Sequence, residues 1–354
     1  MNKVIFTFSL SFVVFSVTAQ RVDLDRFNFS ASYRDFPEEP LPSAYKTFNV
    51  RIEAAPSLSI GYSALNLENL VSVEGLKKVS GTGHVTVLAM LDDILIEKSE
   101  TTERVEVKKD KQNVETRRSF FATEMTYSFS ARASVYDYRG NTVLSNYILF
   151  DRGNKRTYKT SEFASATDAT SNFNNRIQEI KSNIAKQLTN TVINNLNNVL
   201  NDRFGYAVQK VNDIFWVLNN KRHPEYGEQQ KAWNNFRNAI VLMSPDEPLD
   251  KVKEKLKPVI SYYDKVKTIY NGSDKDARKL RYASYYNLAK IYIYLDDPTS
   301  AMREADALAM NDWDEADGRT LRAIAEGLDA QLKKNNASTR HFAVDIAKFE
   351  PPVK

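Results

Sequence analysis

The chain has 354 residues and contains no cysteine. Disulfides, thiolate metal ligands, cysteine nucleophiles and the acylated cysteine of a bacterial lipoprotein are therefore excluded. The formal net charge is +4, which is close to balanced for this length and gives no electrostatic reason to expect nucleic-acid binding.

Residues 1–20 have the pattern of a secretory signal peptide. Lys3 precedes an apolar run from Val4 to Val17 that is too short to span a bilayer, and cleavage is expected after Ala19. Lys3 is the charged residue that would be removed, so the mature chain would carry +3. Export without cysteine favours a periplasmic or cell-surface location in a bacterial envelope. No other apolar run has the length of a membrane helix, so we expect no membrane span after cleavage; peripheral outer-membrane association stays open.

Residues 20–165 are predicted to form a β-rich domain. In residues 124–136 apolar and polar side chains alternate with the period of two that places one face of a strand in a core, and residues 84–91 do the same. Residues 138–141 form a hairpin turn into the strand 143–150. No helical pattern separates these strands, so antiparallel order is expected.

A charge-rich segment, residues 97–118, interrupts this pattern, with its expected tip at residues 108–111. Both signs of charge are mixed in it, which is typical of a solvated hairpin loop. A protrusion that binds a partner is the alternative.

Residues 166–334 are predicted to form a helical domain, because apolar residues recur at steps of three and four. Residues 335–354 form a tail, in which the alternation of Phe342, Val344 and Ile346 predicts either a strand or disorder. The predicted helices are residues 171–204, 206–218, 228–243, 249–270 with a kink near Pro258, two within 282–310, and 314–333.

The two helices within residues 282–310 carry a repeat signature. The series Tyr285, Leu288, Ala289 and Tyr292 has the spacing of the first helix of a tetratricopeptide repeat, with Tyr for Trp and Ala for Gly. Small Ala301 follows at the corresponding place in the second helix. The segment resembles one tetratricopeptide repeat, which implies an array of helical hairpins that binds peptides or partner subunits.

The turn of this hairpin is also marked, since Asp297 can cap the second helix and Pro298 can occupy its first position. The segment departs from the repeat where Ala305 replaces an aromatic residue and Trp313 stands in place of Pro. The whole chain is therefore predicted to be an α+β, two-part protein: an antiparallel β-rich domain followed by a tetratricopeptide-like α-helical array.

No catalytic, cofactor or metal site is predicted. The three histidines are far apart in sequence, and residues 312–318 depart from the spacing of a calcium loop, so N-capping explains their acids better. The candidate partner-binding residues are Tyr285, Tyr292, Tyr294 and Trp313.

The leading functional hypothesis is a non-catalytic exported scaffold that binds other envelope proteins in an outer-membrane or secretion-related complex. The first alternative is a glycan- or nutrient-binding accessory protein at the cell surface, because helices of this kind also scaffold glycan-binding proteins and the 18 Tyr and 3 Trp residues could stack on sugars. The second alternative is an unrecognised hydrolase, which requires a deep pocket with paired carboxylates.

Overall fold

The computed structural model describes residues 21–59 and 67–353, so the predicted signal peptide lies outside the described residues. The chain divides into two compact units. We call residues Arg34–Val208 with Ala343–Lys354 the sheet unit, and the residues up to Tyr33 with Gln209–Phe342 the array unit. The prediction of an α+β, two-part protein is confirmed.

Ten strands and seven α-helices are present in the described residues. The strands are β1 (Leu24–Arg34), β2 (Thr47–Ala54), β3 (Lys77–Lys78), β4 (Val85–Leu91), β5 (Leu95–Lys109), β6 (Glu115–Ser128), β7 (Ala131–Asp137), β8 (Thr142–Phe150), β9 (Arg156–Lys159) and β10 (Val208–Leu218). The helices are α1 (Pro56–Ser59), α2 (Ala166–Phe204), α3 (Tyr226–Ile240), α4 (Asp250–Ile269), α5 (Lys275–Tyr294), α6 (Pro298–Ala309) and α7 (Glu315–Lys334). Two 3-10 turns are Leu67–Leu70 and Ile346–Lys348.

The sheet unit contains a five-stranded sheet of order β3-β2-β4-β7-β8 and a three-stranded sheet of order β5-β6-β9. Antiparallel pairing is confirmed for β4 with β7, β7 with β8, and β6 with both β5 and β9. The prediction was wrong for β2, which pairs in parallel with β3 and with β4. The long connection between β2 and β4 is what allows a crossover back to a parallel neighbour.

Residues 124–136 do not form the single strand that their alternation predicts. The chain leaves the three-stranded sheet at Ser128 and enters the five-stranded sheet at Ala131. Burial still follows the predicted period, since Phe129 between the two strands is 1% exposed. A period of two records which face is buried and carries no information about which strand is the hydrogen-bonding neighbour.

The long helix α2 belongs to the sheet unit. Its buried residues, such as Ile184, Leu188 and Leu196, share one hydrophobic core with the strands. The Ser165 hydroxyl accepts a bond from the Asp168 N–H and caps the helix start. The predicted domain boundary at 165/166 therefore falls inside one compact unit.

Asparagines on α2 hold an extended segment of the chain. The Asn197 amide accepts from the Ser72 N–H (2.9 Å) and donates to the Leu70 carbonyl (3.0 Å). One turn later, the Asn201 amide accepts from the Glu74 N–H (2.7 Å) and donates to the Ser72 carbonyl (3.1 Å). Asparagine is a poor helix former, but here its side chain binds backbone groups of a segment that has no strand or α-helix ladder of its own.

The array unit consists of the two-stranded ribbon β1–β10 and helices α3 to α7. The prediction of a helix at residues 206–218 was wrong, because Val208–Leu218 is strand β10. Val211, Phe215 and Leu218 recur at helical steps, but Phe215 and Val217, both 0% exposed, pack with the period of a strand. The other helical predictions are confirmed within a few residues, except that α5 begins earlier, at Lys275.

The predicted turn between α5 and α6 is confirmed. The Asp297 carboxylate accepts from the Ser300 N–H (3.0 Å), and Pro298 is the first residue of α6. Ala289 and Ala301 are each 0% exposed, as close helix packing requires. The region α3 to α7 is compatible with helical repeats.

In its described part, the tail does not form the predicted strand and has the 3-10 turn Ile346–Lys348 as its single regular element. Arg340 and His341 are 6% and 2% exposed and belong to the array unit. Residues 343–354 belong to the sheet unit, where the Lys77 ammonium donates to the carbonyls of Ala347 (3.2 Å) and Phe349 (2.8 Å). None of the helices in the described part of the chain has the length and apolar character needed to cross a bilayer.

Candidate interaction surfaces

The four predicted partner-binding residues do not lie on one surface. Tyr294 is 6% exposed and belongs to the core of the array unit. Its hydroxyl donates to the Asp213 carboxylate (2.7 Å), and burial raises the pKa of Tyr294. Tyr292 is half-buried against the same core. Tyr285 and Trp313 are half-buried elsewhere, so they alone remain candidates for a surface.

The face of α5 that carries Asn287 holds strand β10. The Asn287 side chain is 0% exposed; its oxygen accepts from the Trp216 N–H (2.9 Å), and its NH₂ group donates to the Trp216 carbonyl (2.8 Å). The Gln229 side chain on α3 accepts from the Leu218 N–H, and Gln230 donates to the Leu218 carbonyl (3.1 Å). Carboxamides thus bind the backbone of an extended segment, as they would bind a peptide.

Aromatic packing closes this face. The rings of Phe215 and Phe236 stack with centroids 4.2 Å apart, and Phe29 meets Phe236 edge-to-face at 4.9 Å. Phe29 also meets Tyr294 at 5.4 Å. The ribbon therefore covers this face of the helices.

A second aromatic cluster, missed in the sequence, lies around Trp216. The Arg26 guanidinium is 4.9 Å from the Trp216 ring centroid, and the Tyr282 and Tyr286 rings lie at 5.9 and 6.3 Å. The Tyr282 hydroxyl donates to the Asp317 carboxylate (2.6 Å). No spacing rule would have found this cluster, because Trp216 was placed on a helix rather than on a strand.

A cavity of about 500 Å³ lies between α5 and α6. Tyr285 lines it together with Arg278, Arg281 and the exposed Met310, which is 83% accessible. Arg278 is paired with Asp312. We call Arg278, Arg281, Tyr285 and Met310, together with Trp313, the α5–α6 surface.

Charge is concentrated on this surface as well. The Arg281 guanidinium donates to the Asn311 side chain (2.9 Å) and to the Gly272 carbonyl (2.7 Å), which fixes its position beside the cavity. The ammonium groups of Lys275 and Lys279 each lie 5.8 Å from the Trp313 ring centroid. The aromatic and apolar groups here are therefore framed by cations.

The charged segment 97–118 lies in a long β-hairpin, in agreement with the predicted solvated hairpin. β5 and β6 pair from Lys109 and Glu115 near the tip down to Leu95 and Ser128 at the base. The outer part, residues 104–120, is the hairpin arm. Its valines are exposed: Val105 is 50% accessible, Val107 48% and Val114 57%. The arm is the second surface available to a partner.

The three histidines each have their own local hydrogen-bond partner. His84 accepts or donates a bond with Thr47 (2.8 Å) in the sheet unit, while His223 and His341 lie in the array unit. Within the described residues, no three His, Asp or Glu side chains come close enough together to bind a metal ion. Asp314 lies in residues 312–318, whose spacing departs from that of a calcium loop, and it caps α7 by accepting from the Asp317 N–H (3.2 Å).

Neither the protein-family models nor the curated proteins yielded a match to this chain.

Proposed function

We propose that this protein is a non-catalytic scaffold, exported to the bacterial envelope, that binds another envelope protein through the α5–α6 surface. The helical part is proposed to be a tetratricopeptide-like array whose peptide-binding face is filled by the chain's own strand β10. The observation that carries the proposal is the exposure of Met310 beside a cavity lined by Tyr285 and two arginines.

The composition of this surface supports a protein partner. Met, Arg and aromatic residues are enriched in protein interfaces. The Met310 side chain is 83% accessible, so a partner that covered it would remove a large apolar surface from water. The cations near Tyr285 and Trp313 favour a partner segment that contains acidic residues. A segment with an apolar anchor and one or two carboxylates matches this arrangement best.

The glycan-binding alternative has less support. Stacking on sugars requires accessible aromatic faces. Every tyrosine and tryptophan of the array unit is half-buried or buried, and five of the thirteen are buried. These are Trp233 (5% exposed), Tyr263 (0%), Tyr282 (4%), Tyr286 (7%) and Tyr294 (6%). A thermal-shift screen with soluble oligosaccharides at low concentration checks this alternative, since specific binding to the folded state raises the melting temperature there, whereas sugars stabilise proteins in general only at high concentration.

The main test is affinity capture from an envelope extract of the native host, with the mature chain as bait. We compare wild type with Met310→Asp, which places a carboxylate in the proposed interface. Val241→Asp is the matched control, because Val241 is also an exposed apolar residue (75%) at the end of a helix in the same unit. The proposal predicts an envelope protein that wild type and Val241→Asp retain and Met310→Asp loses.

Tyr285→Ala provides a second variant, since it removes the ring that lines the cavity and leaves the charges in place. Loss of the same protein with both variants supports the proposal. Identical capture by wild type, Met310→Asp and Tyr285→Ala would refute the α5–α6 surface as the binding site.

A further inference from the structure

One edge of β5 has no neighbouring strand in the described part of the chain. The strand is 15 residues long and pairs with β6 along its other edge, with its single register shift at the start, between Ile96 and Lys98. It contains neither proline nor glycine. Proteins normally protect such an edge with prolines, bulges, short strands or charged side chains, because its open N–H and C=O groups pair readily with another strand. Beyond the register shift at its start, β5 carries only charged side chains of this kind, and they are of both signs.

The hairpin arm adds to this argument. β9 pairs with β6 only at Glu124–Tyr127, and one further bridge joins Phe121 to Phe163, so the arm beyond these residues consists of two strands. A lone two-stranded hairpin is marginally stable in water. A third strand beside β5 would stabilise it.

We propose that this edge pairs with β5 of a second copy of the chain. The two strands would run antiparallel about a twofold axis perpendicular to the sheet at Thr102, so that residues equidistant from Thr102 face each other. The two hairpins would form one continuous sheet of order β9-β6-β5-β5-β6-β9. Pairing in this register extends along the whole of β5.

The charges on β5 fit this register. Lys98 would face Glu106 of the second copy, and Glu100 would face Arg104. Each pair occurs twice by symmetry, which gives four opposite-charge pairs on one face of the sheet. The axis falls on the neutral Thr102, and no two like charges face each other anywhere along the strand. Opposite charges at such positions stabilise strand pairing, and like charges destabilise it.

Neighbouring symmetric registers do not fit. With the axis one residue nearer the tip, Lys98 would face Lys108 and Glu100 would face Glu106. With the axis one residue nearer the base, Lys98 would face Arg104. The charge sequence therefore favours self-pairing at one register over its two nearest alternatives.

The first test exchanges Lys98 and Glu106. These residues are eight positions apart on an extended strand, about 26 Å, so they cannot pair within one chain. Their present partners are Glu100 (2.6 Å) and Lys108 (3.2 Å) on the same strand. Lys98→Glu creates two like-charge pairs across the proposed interface, so we expect the dimer dissociation constant to rise about tenfold or more in sedimentation velocity of the mature chain.

The double variant Lys98→Glu/Glu106→Lys restores opposite charges and should return the dissociation constant towards that of wild type. The control Lys98→Glu/Glu103→Lys has the same net charge, but residue 103 would face Thr101 rather than residue 98, so it should not restore the dimer. Restoration of the dimer by Glu106→Lys and not by Glu103→Lys would identify the register.

The second test uses the absence of cysteine. Thr102→Cys would place two thiols opposite each other at the axis, within the Cα separation that a disulfide needs. Mild oxidation should then give a dimer on a non-reducing gel that reductant removes. Ser99→Cys, whose residue would face Val105, is the control and should give none.

Three results would overturn the proposal: a wild-type chain that stays monomeric at the highest concentration reached, a dimer whose dissociation constant is unaffected by Lys98→Glu, or equal cross-linking of the two cysteine variants. The α5–α6 surface lies in the other unit. The Met310→Asp variant should therefore dimerise like wild type, which separates this test from that of the proposed function.

Discussion

Replacing Asn287 by Ala tests whether its side chain stabilises the array unit by binding the backbone of β10. The Asn287 amide is fully buried and makes both of its bonds to Trp216, at 2.9 and 2.8 Å. Alanine removes both bonds and leaves the N–H and carbonyl of Trp216 without those partners.

The expected loss follows from this count. A typical intramolecular hydrogen bond contributes about 1 kcal/mol net, and a buried polar group left without a partner costs about 1–3 kcal/mol. Alanine returns about 0.7 kcal/mol at most through its higher helix propensity. We expect Asn287→Ala to lower the free energy of unfolding of the array unit by about 2–4 kcal/mol.

Tryptophan emission during urea unfolding measures this unit selectively, because Trp216, Trp233 and Trp313 are the three tryptophans of the chain and all belong to the array unit. The control is Asn235→Ala, an exposed asparagine in α3, which should change the free energy by no more than about 0.7 kcal/mol, the gain in helix propensity. Similar midpoints for the two variants would refute a stabilising role for Asn287.

Three further predictions concern the array unit, and tryptophan emission in urea measures all of them. Gly318→Ala should destabilise the array unit by about 1–3 kcal/mol, since the new Cβ would lie 2.6 Å from a backbone nitrogen of α6. The control Gly327→Ala in the same helix meets no atom within 4 Å and should stabilise the unit by up to about 1 kcal/mol. Equal effects of the two substitutions would contradict this prediction. Arg340→Ala removes the partner of the buried Asp296 (2.6 Å) and should cost about 3–5 kcal/mol, so a loss below about 1 kcal/mol would argue against the ion pair. Burial lowers the pKa of His341, so the unfolded chain binds the proton more readily than the folded chain. The free energy of unfolding should therefore fall as the pH drops below about 6.5. His341→Gln should make this fall with pH less steep, and an unchanged pH dependence would exclude His341 as its source.

Features with local causes could be predicted from the sequence. The Asp297–Pro298 start of α6, the cap at Asp314 and the turn at residues 138–141 depend on side chains within three or four positions of the feature. The stripes of α3 to α7 could also be predicted, because one buried face fixes a helix with a period of 3.6. For these elements the neighbouring residues are sufficient.

Features set by distant partners could not be predicted. β10 carries a helical stripe, and only the docking of Phe215 and Val217 against the helices selects the strand. The parallel neighbour of β2 is chosen by the crossover rather than by the residues of β2 itself. Of the candidate site, Tyr285 remains available because α5 has several faces, and Trp313 remains available because it lies in the turn between α6 and α7. Tyr294 is no longer a candidate, because periodicity does not identify which face of α5 the ribbon covers.

Both units use carboxamides on a helix to hold an extended segment: Asn197 and Asn201 bind residues 70–74, and Asn287 binds Trp216. In the array unit, the binding of Trp216 by Asn287 limits where a proposed partner could bind. An external peptide would have to displace Phe215, which is 0% exposed and stacked on Phe236, before it could reach Asn287. Uncovering such a ring costs several kcal/mol, which an external strand would have to replace with equivalent packing. Binding at the exposed side of α5 and α6 requires no such exchange, and for this reason the proposal assigns the partner to Met310 and Tyr285 rather than to the face that Asn287 occupies.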